Sequence, residues 1–282
     1  MKHTYSLLEK ILFLSTGVNK ERLRNELRGK TIIITGASSG IGEEIAYFLA
    51  DFPVHLILVA RREAKLLFLK EEIEKKAAKV SIYRADLRNE AEMEALLTFI
   101  HQLPKGLDVV VSNAGKSIRR PIKDSLDRYH DFSRTMAINY FAPVQLLLSV
   151  IPLLQKNQGQ IINVSTINAM LHPFPYWAAY QSSKSAFDIW FRSAAPELNA
   201  LGIATTSIYL PLVKTPMILP TEAYRKMPAM SPSHVAKIIC KSMYTKRKKY
   251  RPWWLPLGQF GSLVFGGLLE QFILSNVRKK GN

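Results

Sequence analysis

Short runs of aliphatic and β-branched residues alternate with longer segments of helical pattern through the middle of this 282-residue chain. Runs suited to buried strands lie at residues 30–35, 54–59, 80–83, 107–111, 160–165 and 203–210. Helical patterns separate them, at residues 41–50, 62–78, 90–102, 125–155 and 177–201. Strands joined by helices pair through right-handed crossovers, so we predict an α/β fold with a doubly wound parallel sheet. In such a sheet, ligands bind beyond the carboxyl ends of the strands.

Three glycines follow the first predicted strand, within Thr35-Gly36-Ala37-Ser38-Ser39-Gly40-Ile41-Gly42. Glycine lets the backbone approach a pyrophosphate closely, and the free amides at the start of the next helix attract anions. The spacing Gly-x-x-x-Gly-x-Gly differs from the commoner Gly-x-Gly-x-x-Gly, and a structural turn is the alternative. The position between a strand and a helix favours a dinucleotide site. The predicted cofactor contacts here are Gly36, Ser38, Ser39, Gly40, Ile41 and Gly42.

The end of the second strand bears on which dinucleotide would bind. An acidic residue there would hold the free 2′-hydroxyl of an adenosine ribose, but this position is Ala60, and Arg61 and Arg62 follow it. Guanidinium groups suit a 2′-phosphate. The alternative is that the two arginines simply begin a solvated helix. We predict NADP(H) as the cofactor in preference to NAD(H).

Tyr180 and Lys184 are four residues apart within a helical pattern, which places the phenol and the ammonium on one face. A nearby cation favours phenolate, so we expect Lys184 to lower the pKa of Tyr180 and make it a usable proton donor or acceptor. This spacing is common in isolation, and its meaning depends on the other motifs.

Taken together, these motifs resemble those of the short-chain dehydrogenase/reductase family. The resemblance also rests on Asn113-Ala114-Gly115 after the fourth strand, on Asn139 within Ile138-Asn139-Tyr140, and on Pro211-Leu-Val-Lys-Thr215 after the sixth strand. It covers roughly residues 28–245, with the motifs in the family's order. It implies a Rossmann-type fold and an NAD(P)-dependent oxidoreductase.

The resemblance also implies roles for individual residues. Asp86, with Leu87 beside it, would lie near the adenine ring, and Val213 and Thr215 would approach the nicotinamide amide. Lys184 would bind the nicotinamide ribose, and Asn139 would hold a water in a proton relay with Lys184. Asn113, Ala114, Gly115 and Tyr180 complete the expected cofactor contacts.

The residue that polarises the substrate is ambiguous in this chain. The family usually has two serines at the end of the fifth strand, the second of them 13 residues before the tyrosine, whereas this chain has Ser165-Thr166 with Thr166 placed 14 residues before Tyr180. Aligning by the strand selects Thr166, whereas counting back from Tyr180 reaches Ile167, which has no hydroxyl. A threonine hydroxyl can donate the same hydrogen bond. We predict Thr166 in this role, with Ser165 as the second choice.

A narrower similarity is to bacterial long-chain fatty acyl-CoA reductases, in the stretches 113–120, 125–135, 193–198 and 210–217. It implies reduction of a fatty acyl thioester to an aldehyde with NADPH. The alternatives are a 3-oxoacyl or steroid-like ketone or hydroxyl dehydrogenase/reductase, and a non-catalytic cofactor-binding protein at a membrane. Arg119 and Arg120 would meet CoA phosphates, or would pair with Asp124, Asp127 or Asp131 instead.

The formal charge of +17 suggests an anionic partner. Most of it lies at the ends, with a net charge of +4 in residues 1–30, +5 in 31–240 and +8 in 241–282. The nearly balanced middle argues against a nucleic-acid groove. His130 and His172 lack partners at ligand spacing, so we predict no metal site. The lone Cys240 fits a reducing compartment.

Both ends carry apolar residues beside basic ones. Leu7, Leu8, Ile11, Leu12 and Phe13 indicate an amphipathic helix that packs on the domain or a partner, with membrane contact as the alternative. No clean cleavage site follows, so a secretory signal peptide is not expected.

Residues 252–269 form an uncharged stretch of 18 residues whose glycines and Pro256 predict a poor helix. Basic residues and tryptophans precede it, which favours an anionic membrane surface or a lid over a lipid-sized pocket. A hydrophobic oligomer contact is the alternative.

We therefore predict an N-terminal helical extension over residues 1–28, one Rossmann-type domain over 29–245, and a basic, apolar C-terminal extension over 246–282. The resemblance implies a homo-oligomer, a dimer or a tetramer, with contacts through the helices at 125–155 and 177–201. The expected location is cytoplasmic with peripheral association with membranes, and the expected substrate is a lipid-like carbonyl or acyl-CoA.

Overall fold

The computed structural model describes residues 5–219, 221–224, 226–267, 270–271 and 274–275. Its centre is a seven-stranded sheet in the order β3-β2-β1-β4-β5-β6-β7, and every pairing in it is parallel. The prediction of a doubly wound parallel sheet is confirmed. The strands are β1 Thr31–Thr35, β2 His55–Ala60, β3 Lys79–Arg84, β4 Val109–Ser112, β5 Gln160–Thr166, β6 Ala204–Leu210 and β7 Lys249–Tyr250.

Helices cover both faces of this sheet. They are α1 Leu7–Leu12, α2 Lys20–Leu27, α3 Gly40–Leu49, α4 Glu63–Glu74, α5 Glu90–His101, α6 Tyr129–Met136, α7 Ala142–Lys156, α8 Ala178–Ala200, α9 Pro232–Thr245 and α10 Leu255–Val264. A π-helical turn, Ala137–Phe141, joins α6 to α7. Short 3₁₀ turns occur at Ile122–Ser125, Ile167–Ala169, Pro216–Ile218 and Glu222–Tyr224.

The central strand β1 shows why these sequences form this sheet. Its five residues are all buried, with Ile32 and Ile34 in the hydrophobic cluster on one face and Ile33 in the cluster on the other. A strand buried on both faces needs apolar side chains at successive positions. Strand order reverses at β1, which pairs with β2 on one side and β4 on the other. The chain therefore turns to opposite faces of the sheet after β1 and after β4, and this part of the carboxyl edge is where a ligand is expected.

The continuous helical stretch Tyr129–Lys156 is long and apolar enough, by length and composition, to cross a membrane. Its inner side contributes Leu146, Leu147, Val150 and Leu154 to one of the two core clusters. Core helices of globular domains pass the same test, so we assign this stretch to the layer that covers the sheet.

The C-terminal extension differs from its prediction. The uncharged stretch at 252–269 was expected to be a poor helix, but Leu255–Val264 forms α10, so that prediction is wrong. Pro256 lies in the first turn of α10, where the missing N–H costs no intrahelical hydrogen bond. Part of the stretch, residues 268 and 269, lies outside the described residues. Helix α2 lies within the helical extension predicted over residues 1–28, whereas helix α9 and the edge strand β7 lie outside the helices and strands predicted from sequence.

The N-terminal helix α1 packs on the domain, but of its predicted apolar face only Leu12 and Phe13 take part. Phe13 and the carboxylate-bearing Glu9 are buried, whereas Leu7, Leu8 and Ile11 are exposed. The helix therefore presents most of its leucine and isoleucine side chains outward.

Glu9 holds α1 against the loop that follows β6. Its carboxylate lies 2.7 Å from Lys214 Nζ and accepts hydrogen bonds from the backbone N–H groups of Ser6 and Ala229, at 3.0 Å and 3.2 Å. Burial alone would raise the pKa of the Glu9 carboxyl, but its hydrogen bonds with Lys214, Ser6 and Ala229 lower that pKa from 4.5 to about 2.

Replacing Glu9 by Gln should lower the free energy of unfolding at neutral pH by about 1–3 kcal/mol, because Lys214 then loses its partner. The pKa of Glu9 is lower in the folded chain than in the unfolded chain. The stabilisation is therefore complete above about pH 4.5 and disappears as the pH falls towards 2. Urea unfolding of wild type and Glu9→Gln between pH 7 and pH 3 measures the difference. Exposed Glu21→Gln is the matched control, and an equal effect of the two substitutions would contradict the assignment.

Candidate active site

The glycine turn after β1 lies in direct contact with the loop after β4. A β-carbon on Gly36 would stand 3.0 Å from Ala114 Cα and from Asn113 Nδ2, and the φ of Gly36 is +68°. A β-carbon on Gly42 would stand 2.5 Å from the Gly36 carbonyl oxygen. Both positions therefore require glycine, which brings two loops of the carboxyl edge together.

Asn113 and Ala114 are fixed to β1 by hydrogen bonds. Asn113 Nδ2 donates to the Thr35 carbonyl at 2.9 Å, and the backbone N–H groups of Asn113 and Ala114 both donate to Thr35 Oγ1 at 3.0 Å. The Asn113 side chain thus holds two strand ends in register at the carboxyl edge.

The loop after β6 meets the same turn from the other side. A β-carbon on Gly40 would stand 3.0 Å from Thr215 Cγ2, and the φ of Gly40 is +61°. Val213 is buried and forms an isolated bridge with Met230. Because Lys214 binds Glu9 between these two residues, the N-terminal helix steadies the loop that carries Val213 and Thr215.

The two arginines after β2 have different surroundings. Arg62 reaches back to the glycine turn, where its guanidinium donates to Ser38 Oγ at 3.0 Å and 3.2 Å and to the Ser38 carbonyl at 3.0 Å. Arg61 is exposed, with Nη1 3.9 Å from Asp86 Oδ2. Ser39 begins α3 without a side-chain cap, and Ile41 is partly exposed in the first turn of that helix. Cationic groups therefore flank a helix start whose amides the Ser39 side chain does not satisfy.

Asp86 follows β3 and is paired within its own loop. Arg88 donates to both of its carboxylate oxygens, at 2.9 Å and 2.6 Å, and this hydrogen bonding lowers the pKa of Asp86. The neighbouring Leu87 packs into a core cluster. The structure thus places Asp86 at the carboxyl edge beside Arg61, and directs the Leu87 side chain away from it.

Tyr180, near the start of α8, lies close enough to the end of β5 for the Thr166 hydroxyl to affect the pKa of its phenol. Loss of hydration raises the pKa of this phenol to about 12, and the Thr166 hydroxyl opposes the rise. Tyr180 is therefore protonated at neutral pH and has a hydroxyl group as its neighbour.

Thr166 rather than Ser165 makes this contact. It is the Thr166 hydroxyl, and not that of Ser165, that affects the pKa of Tyr180. Thr166 Oγ1 also accepts a hydrogen bond from the Asn168 N–H at 3.3 Å, which fixes its orientation. The alignment by strand, which selected Thr166, agrees with this geometry.

Lys184 lies one turn after Tyr180, and its Nζ donates to the Val164 carbonyl at 3.3 Å. Burial lowers the pKa of the Lys184 ammonium to about 8, an effect that Asp188 opposes. The expectation that Lys184 lowers the pKa of Tyr180 is wrong for this structure, in which the pKa of the phenol is raised. Desolvation raises the pKa of the phenol, and the group that lowers it is the Thr166 hydroxyl rather than Lys184.

Asn139 lies in the π-helical turn between α6 and α7. Its Nδ2 donates to Ser183 Oγ and to the Lys116 carbonyl, both at 2.9 Å, and its Oδ1 accepts from the Lys116 N–H at 2.9 Å. A β-carbon on Gly115 would stand 3.0 Å from Asn139 Oδ1 and 3.5 Å from Lys184 Nζ. Asn139, Gly115 and Lys184 are thus packed together, and a π-helical turn is a common feature of functional sites.

Two aromatic residues at this site lie outside the residues predicted from sequence. The Trp177 ring stacks on Tyr224 with a centroid distance of 5.9 Å, and it lies 5.4 Å from the Tyr180 ring. The Tyr224 hydroxyl is buried and has no hydrogen-bond partner among the described residues. The spacing of three residues between Trp177 and Tyr180 could have indicated the first pair, whereas Tyr224 reaches the site through folding alone.

The arginines after the Asn-Ala-Gly turn take different roles. Arg120 Nε lies 3.0 Å from Asp131 Oδ2, and Arg134 also pairs with this buried carboxylate. The alternative of structural pairing is therefore what the structure shows for Arg120. Arg119 is exposed and lies over the Tyr176 ring, 4.7 Å from its centroid.

Comparison with known proteins identifies the family of this chain. The short chain dehydrogenase family matches residues 30–225. A fatty acyl-CoA reductase of Acinetobacter baylyi is 38% identical over 243 residues, covering 86% of this chain and 81% of that protein. A fatty acyl-CoA reductase of Mycobacterium tuberculosis is 36% identical over 231 residues, covering 80% of this chain and 78% of that protein.

The fold is shared with a solved short-chain dehydrogenase from Sphingobium yanoikuyae, described in complex with NADPH. The two superpose with a TM-score of 0.73 over 87% of this chain and 95% of that one, at 21% identity. At this identity the likeness concerns the fold.

Substituting Gly42 by Ala should lower the free energy of unfolding by about 1–3 kcal/mol, because the new methyl group overlaps the Gly36 carbonyl. The gain in helix propensity, about 1 kcal/mol, does not offset this overlap. Thermal unfolding measures the effect. Gly17→Ala is the control, since nothing lies within 4 Å of its β-carbon. Equal stability of Gly42→Ala and wild type would show that the turn is not closely packed.

Proposed function

The chain belongs to the short-chain dehydrogenase family of NAD(P)-dependent oxidoreductases, and we propose that it is an NADPH-dependent reductase of a lipid-like carbonyl, with fatty acyl-CoA as its substrate class. The observation that carries the proposal is that the Thr166 hydroxyl and the Tyr180 phenol lie together beside Lys184 at the carboxyl edge of the sheet. This pair offers one protonated phenol and one hydroxyl to a carbonyl oxygen.

The glycine turn has the shape that a dinucleotide needs. A β-carbon at Gly36, Gly40 or Gly42 would press on atoms of Asn113, Ala114, Thr215 or the turn itself, so the turn keeps this conformation only with glycine at these positions. The start of α3 would hold the pyrophosphate, and Arg61 and Arg62 would hold a 2′-phosphate. The solved short-chain dehydrogenase from Sphingobium yanoikuyae, which has the same fold, is described in complex with NADPH. When bound, NADPH supplies a hydride for the carbonyl carbon.

The residues of this chain would orient and protonate the substrate. The Thr166 hydroxyl would donate to the carbonyl oxygen, and Tyr180 would give that oxygen its proton as charge develops on it. A pKa of about 12 keeps the phenol protonated until that moment. Lys184 would bind the nicotinamide ribose, and Asn139, held by Ser183, would position a water that returns the proton through Lys184.

Two observations favour a fatty acyl-CoA as the substrate. The relatives from Acinetobacter baylyi and Mycobacterium tuberculosis are both fatty acyl-CoA reductases. The mouth of the site carries Arg119, whose exposed guanidinium suits a CoA phosphate. Addition of hydride and a proton to the thioester gives a hemithioacetal. Loss of CoA as its thiol from that hemithioacetal leaves the aldehyde.

The domain boundaries, the location and the oligomeric state are proposed mainly from the sequence. We place an N-terminal extension at 1–28, the reductase domain at 29–245 and a C-terminal extension at 246–282, in a cytoplasmic protein that associates peripherally with membranes. We also propose a homo-oligomer through the outer sides of α7 and α8. Exposed apolar side chains on α7 and α8 and the turn before α7, namely Phe141, Leu148 and Ile189, support this contact.

Substituting Tyr180 by Phe should lower kcat by about a hundredfold to ten-thousandfold, because the proton donor is lost while the ring remains. The assay follows NADPH and NADH oxidation in parallel, with fatty acyl-CoAs, aldehydes and ketones as substrates, and identifies the product. Faster oxidation of NADPH than of NADH, with fatty aldehyde formed from acyl-CoA, is the expected result.

Exposed Tyr129→Phe is the matched control and should keep the wild-type rate. Equal rates for wild type and Tyr180→Phe would refute the role of Tyr180. Turnover of ketones or steroid-like alcohols without turnover of acyl-CoA would move the substrate to the alternative class. No turnover with any substrate by the wild type, with the dinucleotide bound, would support a non-catalytic cofactor-binding protein.

A further inference from the structure

We propose that α1 and α10 together form a membrane-docking surface whose partner is an anionic lipid bilayer. Its members are Leu7, Leu8 and Ile11 on α1, and Trp253, Leu257, Phe260 and Val264 on and just before α10. We call this set the apolar platform. The inference rests on the proposed lipid-like substrate, since it specifies from which surface that substrate would be drawn.

Helix α10 turns a stripe of apolar side chains outward, whereas a helix that packs on a soluble domain buries such a stripe. Trp253, Leu257, Phe260 and Val264 recur at intervals of four, three and four residues and form one stripe. All four are more than half exposed, with Phe260 at 69%. On the opposite side, Leu255 is fully buried and Gln259 Nε2 donates to the Met170 carbonyl at 3.1 Å.

Helix α1 also turns apolar side chains outward. Leu7, Leu8 and Ile11 are exposed, with Leu7 at 77%, whereas Glu9 faces inward and binds Lys214. Contiguous apolar surface of this kind marks an interaction site rather than an ordinary solvated face.

The two helices adjoin each other. Trp253 Nε1 donates a hydrogen bond to the Ile11 carbonyl at 2.9 Å, which joins the end of α1 to the start of α10. The apolar platform therefore brings together residues more than two hundred positions apart in sequence.

Charge at the edge of the platform identifies the partner. Arg247, Lys248 and Lys249 are exposed and stand a few residues before Trp253, and Lys10 is exposed on α1. Basic side chains beside a tryptophan and an apolar stripe match the headgroup layer of an anionic bilayer, with the apolar side chains reaching the acyl chains.

The platform also adjoins the candidate active site. Gln259 holds α10 to Met170, four residues after Thr166. A bilayer in contact with α10 would thus lie next to the segment that follows the reactive hydroxyl, and a long-chain substrate would pass from lipid to the site over a short path.

The test uses the full-length protein and co-flotation with vesicles of phosphatidylcholine alone, or of phosphatidylcholine mixed with phosphatidylserine. We expect stronger binding to the anionic vesicles. The double substitutions Leu7→Ser with Ile11→Ser, and Leu257→Ser with Phe260→Ser, should each weaken vesicle binding at least about tenfold, through the loss of buried apolar area. Substituting Arg247, Lys248 and Lys249 by Gln should remove the preference for anionic vesicles.

Leu67→Ser with Phe68→Ser, on exposed positions of α4, is the matched control and should bind as wild type does. Near-ultraviolet circular dichroism and the rate with a short, soluble carbonyl should be unchanged in every variant, which separates lost docking from lost folding.

Unchanged vesicle binding by either platform variant would overturn the proposal, as would equal losses in the α4 control. A change of oligomeric state in the platform variants without a change in vesicle binding would instead make this surface a contact between copies of the chain. If wild type reduces acyl-CoA but does not bind vesicles, the platform proposal fails and the proposed function stands. If it binds vesicles but reduces no carbonyl, the reverse holds.

Discussion

The candidate site depends on a close approach of two loops, in which Gly36 lies against the Ala114 backbone and Gly42 lies against the Gly36 carbonyl and the Asn113 side chain. This contact exists because β1 pairs with β2 on one side and β4 on the other, so that the chain reverses its direction of winding at β1. The Asn113 side chain joins the two loops, because its Nδ2 donates to the Thr35 and Gly36 carbonyls. The turn of Val213 and Thr215 meets the glycine turn from the β6 side, and Glu9 of the N-terminal helix braces that turn through Lys214. Cofactor and substrate residues therefore depend on one packed edge of the sheet.

Loss of hydration sets the protonation of the two reactive side chains. The pKa of Tyr180 rises to about 12 and that of Lys184 falls to about 8, because burial favours the uncharged form of each side chain. A protonated phenol suits reduction of a carbonyl, in which a proton must be given to the oxygen. The Thr166 hydroxyl is the neighbour that opposes the rise in the pKa of Tyr180, which links the substrate-polarising group to the proton donor.

Local patterns in the sequence predict the parts of the fold that local physics decides. The five buried residues of β1, the glycine turn and the spacing of Tyr180 and Lys184 are all visible as short motifs. The contacts between Glu9 and Lys214, and between Trp177 and Tyr224, join distant segments and leave no local pattern. Helix α10 was expected to be weak because its glycines disfavour a helix, but packing against Met170 and Pro256 in its first turn outweigh that propensity. The choice between Ser165 and Thr166 required the position of α8 relative to β5.

The measurement that tests this account most directly is the steady-state reduction of a fatty acyl-CoA with NADPH by Thr166→Val and Ser165→Ala. Both substitutions remove one hydroxyl, from adjacent residues of β5 that point to opposite faces of the sheet. The account predicts that Thr166→Val lowers kcat/KM by about a hundredfold to a thousandfold, whereas Ser165→Ala stays near wild type. A large loss in Ser165→Ala together with a normal rate in Thr166→Val would contradict it.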